Sequence, residues 1–291
     1  MSKQSTLRLL LPQWQGGMNP HYFLGAQLLS VIAPPAGEDE LVTIDVATDF
    51  DAGLQTEHGV DRFAQLMKQV QETTAILKAK QPDKVIIFGG DCAISQAPFA
   101  YLAEKYGDKL GALWLDAHPD ITDVKDSSHL HEMVMANLLG HGSPEFTDLV
   151  PVKIPKTHLF YAGLIEKDLR EMDQRVLTDA IKFATPEAIS KDSQVILDWI
   201  VETGIEMLAV HFDLDVLNPY DFRSIYPAEP GTKVEDFPAA VGELTLNQVV
   251  RILSDVEPIA DLVGLSITEH LPWDAFNLRN ALSKISIFKT K

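Results

Sequence analysis

Cysteine is almost missing from this 291-residue sequence. Cys92 stands alone, so no intramolecular disulfide can form, which suits a reducing compartment. Basic residues are also scarce. Lys and Arg number 24 against 42 Asp and Glu, a formal net charge of −18. Such a chain lacks the positive face that nucleic acid or an anionic membrane requires, and neither is expected as a partner. The acidic surplus suits divalent cations or a cationic small molecule, and serves solubility too. Long apolar runs are absent: no stretch approaches the roughly 20 residues of a membrane span. The start, residues 1–17, has only a short apolar core and no small-residue cleavage pattern, a poor signal peptide. A cytoplasmic protein is expected. No repeat, low-complexity tract or Gly/Ser linker divides the chain, so one domain over residues 1–291 is expected.

What is present is an alternation of short β-rich runs with longer segments of helical period. Leu7–Leu11, Lys84–Phe88, Leu110–Leu115, Thr157–Tyr161, Ile181–Ala184, Met207–Phe212 and Leu262–Ile267 read as strands. Between Asp61 and Lys80, apolar residues fall at Phe63, Leu66, Met67, Val70 and Leu77, one stripe of an amphipathic helix. Further helices are expected at Ala93–Tyr106, Pro186–Thr203, Thr245–Asp255 and Trp273–Phe288. Alternation of this kind predicts an α/β fold, a largely parallel central sheet between two helical layers in an α/β/α arrangement. Two long loops, Asp120–His131 and Asn218–Gly242, each follow an acidic cluster at a strand end, and long loops in compact domains are usually functional.

Three constellations carry chemistry. Asp116, His118 and Asp120 follow the apolar strand Leu110–Leu115 at spacing two, so in an extended chain they share a face. Ligands of parallel α/β sheets bind beyond the carboxyl ends of strands. Asp213 and Asp215 end another apolar strand at the same spacing. Neighbouring carboxylates repel unless a cation neutralises them, so two such clusters point to a shared metal. His211 falls on the same alternation and reads as a packed or supporting residue, not a ligand. The third constellation is Gly89–Gly90–Asp91–Cys92, a strand running into a glycine turn and a helix. It lacks the Lys-Ser/Thr of a phosphate loop.

In this order the three motifs resemble the ureohydrolase family of arginase, agmatinase and formiminoglutamase, over roughly residues 80 to 285. The family pattern runs Gly-Gly-Asp-His, Asp-Ala-His-x-Asp, then Asp-x-Asp on a strand. The resemblance implies an arginase-like fold and two Mn²⁺ ions sharing bridging aspartates and an activated hydroxide that hydrolyses a C–N bond of a linear amidine. Carried over, Asp116 and Asp213 are the bridges, His118 and Asp215 complete one ion, and Asp120 with Cys92 completes the other. It further implies that His131, or His129 beside it, moves a proton, that Glu269 holds a guanidinium-like group, and that copies of the chain form a homo-oligomer. The substrate expected is a small, cationic or amidine-containing molecule.

The sequence departs from the pattern in three places. Cys92 stands where the family has histidine. Thiolate favours zinc or iron and manganese prefers harder ligands, so one or two ions are open, with Zn²⁺ or another divalent metal an alternative to Mn²⁺. Asn218 replaces a usual aspartate. The loop from Tyr220 to Gly231 does not match the substrate loop of arginase or agmatinase. Two further readings follow from Cys92: a mononuclear metal amidohydrolase using Asp116, His118, Asp213 and Asp215, and a catalytically inactive relative with a binding or regulatory role.

Overall fold

A computed structural model describes residues 4–288; the outermost ends of the expected domain lie outside them. Eight strands form one sheet: β1 (Thr6–Leu11), β2 (Glu40–Thr43), β3 (Lys84–Gly89), β4 (Leu110–Leu115), β5 (Leu159–Ala162), β6 (Lys182–Ala184), β7 (Met207–Asp213) and β8 (Asp261–Thr268). Their order across the sheet is β2-β1-β3-β8-β7-β4-β5-β6, and every pairing is parallel.

The strands are apolar on both faces because both are covered. Along β4, Ala112 and Trp114 join one buried cluster while Leu113 and Leu115 join another. The first cluster takes in Phe99–Ala103, Val134, Met135, Ala136 and Leu138, and the second takes in Ile196, Trp199, Val249 and Ile252. Period-two side chains thus feed two cores on opposite faces, the three-layer α/β/α architecture expected from the alternation. None of the described helices is long and apolar enough to cross a membrane.

Strand positions follow the sequence reading closely, and helices less so. Ala93–Tyr106 begins as a 3-10 turn, Cys92–Ser95, before the α-helix Gln96–Tyr106, because the Asp91 side chain accepts the Ala93 N–H and caps the turn. Pro186–Thr203 is helical only from Gln194 to Thr203. Residues before it are held as turns, with the Arg251 guanidinium bonded to the Ser190 carbonyl and Asp192 Oδ1 accepting the Gln194 N–H. The helix expected at Trp273–Phe288 stops at Leu282, followed by a 3-10 turn at Ser286–Phe288. Thr245 instead caps the helix Leu246–Val256, paired with Gln248 in a capping box. The helix His21–Ile32 and strand β2 were not anticipated.

One close approach fixes the sheet to the loop after β1. A Cβ on Gly90 would lie 1.6 Å from the Gln13 carbonyl oxygen and 2.6 Å from its carbon. Backbone cannot step aside cheaply, so Gly90→Ala is expected to cost about 3 kcal/mol or more. Thermal unfolding should show Tm lower by about 5 °C at this chain length; an unchanged Tm would contradict the packing described here.

Candidate metal centre

A cavity of about 560 Å³ opens at the carboxyl ends of β3, β8, β7 and β4, which are neighbours in the middle of the sheet. Cys92, Asp116, His118, Asp120, His131, Asp213, Asp215 and Glu269 all line it. Register explains the gathering. β4 and β7 pair Leu115 with Phe212, so one residue further on Asp116 comes beside Asp213. β7 and β8 pair Asp213 with Thr268, whose hydroxyl donates to Asp213 Oδ2 at 3.0 Å. Glu269 follows, its N–H bonded to the Gly90 carbonyl at 2.7 Å.

The spacing-two aspartates meet by turning, and the extended-chain expectation is corrected here. β4 ends at Leu115, and Asp116 Oδ1 accepts the N–H of His118 at 2.7 Å. Asp213 Oδ1 accepts the N–H of Asp215 at 2.7 Å, closing the turn Leu214–Val216. Each is an aspartate bonding to the backbone two residues on. Asp120 (φ 49°) and Glu269 (φ 61°) both sit in the left-handed region, which non-glycine residues occupy at a cost and which clusters at functional sites.

Donor atoms converge in overlapping groups. Those of Asp116, His118 and Asp215 lie within 4.8 Å of one another, as do those of Cys92, Asp213 and Glu269, and those of Cys92, Asp116, Asp120 and His211. His211 is nevertheless a packed residue. Its ring stacks on Trp114, centroids 3.6 Å apart, and its Nδ1 lies 2.9 Å from Ser95 Oγ and 3.0 Å from Ser266 Oγ. Burial pushes its pKa down to about 3, so it stays neutral.

Electrostatics test whether a cation fits. Burial, then Asp215, pushes the Asp116 carboxyl up to about 7. Burial raises Asp120, Asp213 and Glu269 well above the usual carboxylate range, and neighbouring carboxylates add to it. Asp215 runs the other way. Burial opposes its ionisation, but His118, with Nδ1 3.0 Å from Asp215 Oδ2, outweighs that. Burial likewise opposes charging of His118, yet Asp215 and Asp116 keep its pKa well above the ordinary value. The cluster therefore takes on positive charge wherever it can. Asp120 Oδ2, Asp215 Oδ1 and His118 Nε2 are buried without hydrogen-bond partners among the described residues. Such atoms are rare in folded proteins, and carboxylate oxygen with imidazole nitrogen suits a divalent cation. The donor set fits the ion implied by the motifs.

Cys92 is buried, with Sγ 2.8 Å from Asp213 Oδ2 and 3.8 Å from Glu269 Oε1. Burial, then the charges of Asp213 and Asp120, holds the thiol well above its usual range, so it donates to Asp213 as S–H. Both candidate proton carriers line the cavity. His131 is half-buried, its Nδ1 2.9 Å from the Gly16 carbonyl, an arrangement that makes Nδ1–H the donor and leaves Nε2 as a base. Burial lowers its pKa. His129 is more exposed, 41% on its side chain, with Nε2 3.7 Å from Asp61.

Several cavity residues escaped the sequence reading. Tyr22, on the unanticipated first helix, lines the cavity with its hydroxyl toward Glu269. Asp91 Oδ2 accepts the N–H groups of Gly16 and Gly17 at 2.9 and 3.2 Å, drawing the loop after β1 against the site. Burial pushes its carboxyl up to about 7 against those hydrogen bonds. A Cβ on Gly16 would meet Asp91 Oδ1 at 2.5 Å, so the Gly16–Gly17 pair was the available signal. Arg170, and Tyr226 to Ala239 in the second long loop, complete the wall.

Residues 33–277 match the model of a family described as the Arginase family. The match starts well before residue 80, and so takes in a longer stretch than the motifs alone. Arginase 2 of Arabidopsis thaliana is 27% identical over 219 residues, 74% of this chain and 55% of that protein. The chain thus spans about half the length of the curated relatives it matches first. Among solved structures, the arginase from Bacillus caldovelox superposes with a TM-score of 0.76 at 18% identity, over 98% of this chain and 100% of that one. The formimidoylglutamase from Bacillus subtilis superposes with a TM-score of 0.63 at 15% identity, over 94% and 81%. Identities this low speak for a shared fold.

Proposed function

This chain belongs to the arginase family, and from that premise we propose that it is a divalent-metal-dependent hydrolase of the C–N bond in linear amidines, guanidino or formimino compounds. One observation carries the reading: Asp116, Asp120, Asp213 and Asp215 are buried around one cavity, with carboxylate and imidazole atoms left unpartnered. Carboxylates so placed need a cation.

Asp116 and Asp213 would be shared between two ions, His118 and Asp215 would complete one position, and Asp120 with Cys92 would line the other. The oxygen-rich set favours Mn²⁺, and a thiolate at Cys92 would favour Zn²⁺. The chemistry such ions supply when bound is an acidified water, a nucleophile at neutral pH. Glu269, oriented by the Tyr22 hydroxyl, accepts N–H bonds from the amidinium and holds its carbon. His131, neutral at pH 7 because burial lowers its pKa, takes a proton on Nε2 and returns it to the departing nitrogen.

A second reading, one ion at the position of Asp116, His118, Asp213 and Asp215, is favoured by the Cys92 thiol, which occupies Asp213 Oδ2. The inactive alternative has no observation behind it beyond Cys92.

Release of urea or ammonia from a panel of guanidino and formimino compounds, with and without a chelator, tests the proposal. Metal-loaded protein that hydrolyses none of them would overturn it. His131→Ala is expected to lower kcat by about 10²–10⁴-fold, with metal content unchanged. His129→Ala should stay within a few-fold of wild type. The reverse pattern would transfer the proton to His129.

A further inference from the structure

The outer wall of the cavity is built from the loop that departs from the arginase and agmatinase pattern. Its backbone is braced: the Glu229 N–H bonds to the Tyr226 carbonyl at 3.0 Å, and Trp273 Nε1 donates to the Ile225 carbonyl at 2.7 Å. Tyr226 packs edge-on against Phe237, centroids 5.4 Å apart, giving the wall an aromatic surface. Beside it Glu229 lines the cavity with no side-chain hydrogen bond or ion pair among the described residues.

The guanidinium of Arg170 is the one basic Lys or Arg group among the described residues lining this cavity, and it is already committed. Its Nε and Nη2 fork onto the two oxygens of Asp173 at 2.7 and 3.2 Å, and its Nη1 reaches Glu132 Oε1 at 2.6 Å. A substrate carboxylate approaching it would meet two carboxylates and one guanidinium, a net negative charge. Glu229 adds to the repulsion. Two divalent cations at the floor would not offset the carboxylates that line the rest. At about 560 Å³ the cavity has room for more than a bare amidine, and a tail would lie along this wall.

Resting on the amidine reading above, we infer that the substrate is an amidine whose tail ends in a cation and bears no carboxylate, with Glu229 as the residue that selects it. An ammonium there gains the Glu229 carboxylate and the faces of Tyr226 and Phe237. An α-amino acid or ω-carboxylate tail gains no free cation and faces a like charge.

Calorimetric titration of the Mn²⁺-loaded full chain tests this with three probes of similar length: 4-guanidinobutylamine, n-pentylguanidine and 4-guanidinobutyrate. The expected order of affinity is amine, then neutral, then carboxylate. The amine should bind at least about tenfold more tightly than the carboxylate, equivalent to about 1.4 kcal/mol. Glu229→Gln should shrink the amine's advantage over the neutral probe by about fivefold, and Glu229→Lys should turn the preference toward the carboxylate. Carboxylate binding as tight as amine binding in the wild type overturns the inference and leaves the amidine reading standing. An amine advantage untouched by Glu229→Gln removes Glu229 as the selecting residue. Failure of all three to bind overturns this inference, and the amidine reading then stands or falls on the hydrolysis panel above.

Discussion

Asp213→Ala is expected to strip the protein of divalent metal and lower amidine hydrolysis by about 10³-fold or more. Asp213 ends β7 in the centre of the sheet, level with Asp116 across the strand pair. Its donor oxygen falls in a group with Cys92 and Glu269, and its other oxygen closes the turn that presents Asp215. On the proposed assignment this carboxylate is shared by both positions, so its loss should empty both. The same assignment gives Asp120 to one position only, so Asp120→Ala should retain about one ion per chain. Metal analysis of the two variants decides the matter, and equal loss in both would refute the shared role of Asp213. The Ala variant also leaves the Cys92 thiol, the Thr268 hydroxyl and the Asp215 N–H without their acceptor. Circular dichroism must therefore show a folded chain before the comparison counts.

Cys92→His is expected to add one Mn²⁺ per chain and raise amidine hydrolysis by about tenfold or more. As a thiol, Cys92 offers manganese no useful ligand, and burial among carboxylates keeps it protonated. The position it lines should therefore fill in the wild type only at high Mn²⁺ concentration. An imidazole there supplies a neutral nitrogen without needing to lose a proton at pH 7. The larger ring must fit at the foot of the Gly89–Gly90 turn, against Thr268 and Glu269. Titration of Mn²⁺ into metal-free wild type and variant gives the stoichiometries. Two ions bound with similar affinity by both chains would mean that Cys92 does not limit the site.

The parallel sheet was legible because its strands are short apolar runs buried on both faces, and such runs stand out from amphipathic helices. The helix His21–Ile32 was not. It is apolar along most of its length, with Val31 78% and Ile32 67% exposed, so it shows no clear stripe. The residues Gln194–Thr203 keep a helical period that extends backward through Pro186–Ser193, where Arg251, distant in sequence, holds turns instead. The spacing-two aspartates drew attention to two strand ends that the fold brings to one cavity, for a reason only half correct. Their convergence depends on side chains bonding to the backbone two residues ahead, and on Asp120 in a left-handed conformation. The second long loop, Asn218–Gly242, stood out by its length and supplies part of the cavity wall, but which of its residues face the cavity was not readable. Tyr22, Arg170 and Glu229 come from three distant segments and meet only through the fold.

Elemental analysis of the protein purified without added metal, followed by Mn²⁺ titration of the stripped chain, shows whether the buried carboxylates hold a cation. At least one divalent transition-metal ion per chain is expected, bound again after stripping and lost in Asp213→Ala. A folded wild-type chain that carries no stoichiometric metal and binds no Mn²⁺ in calorimetry would contradict that expectation.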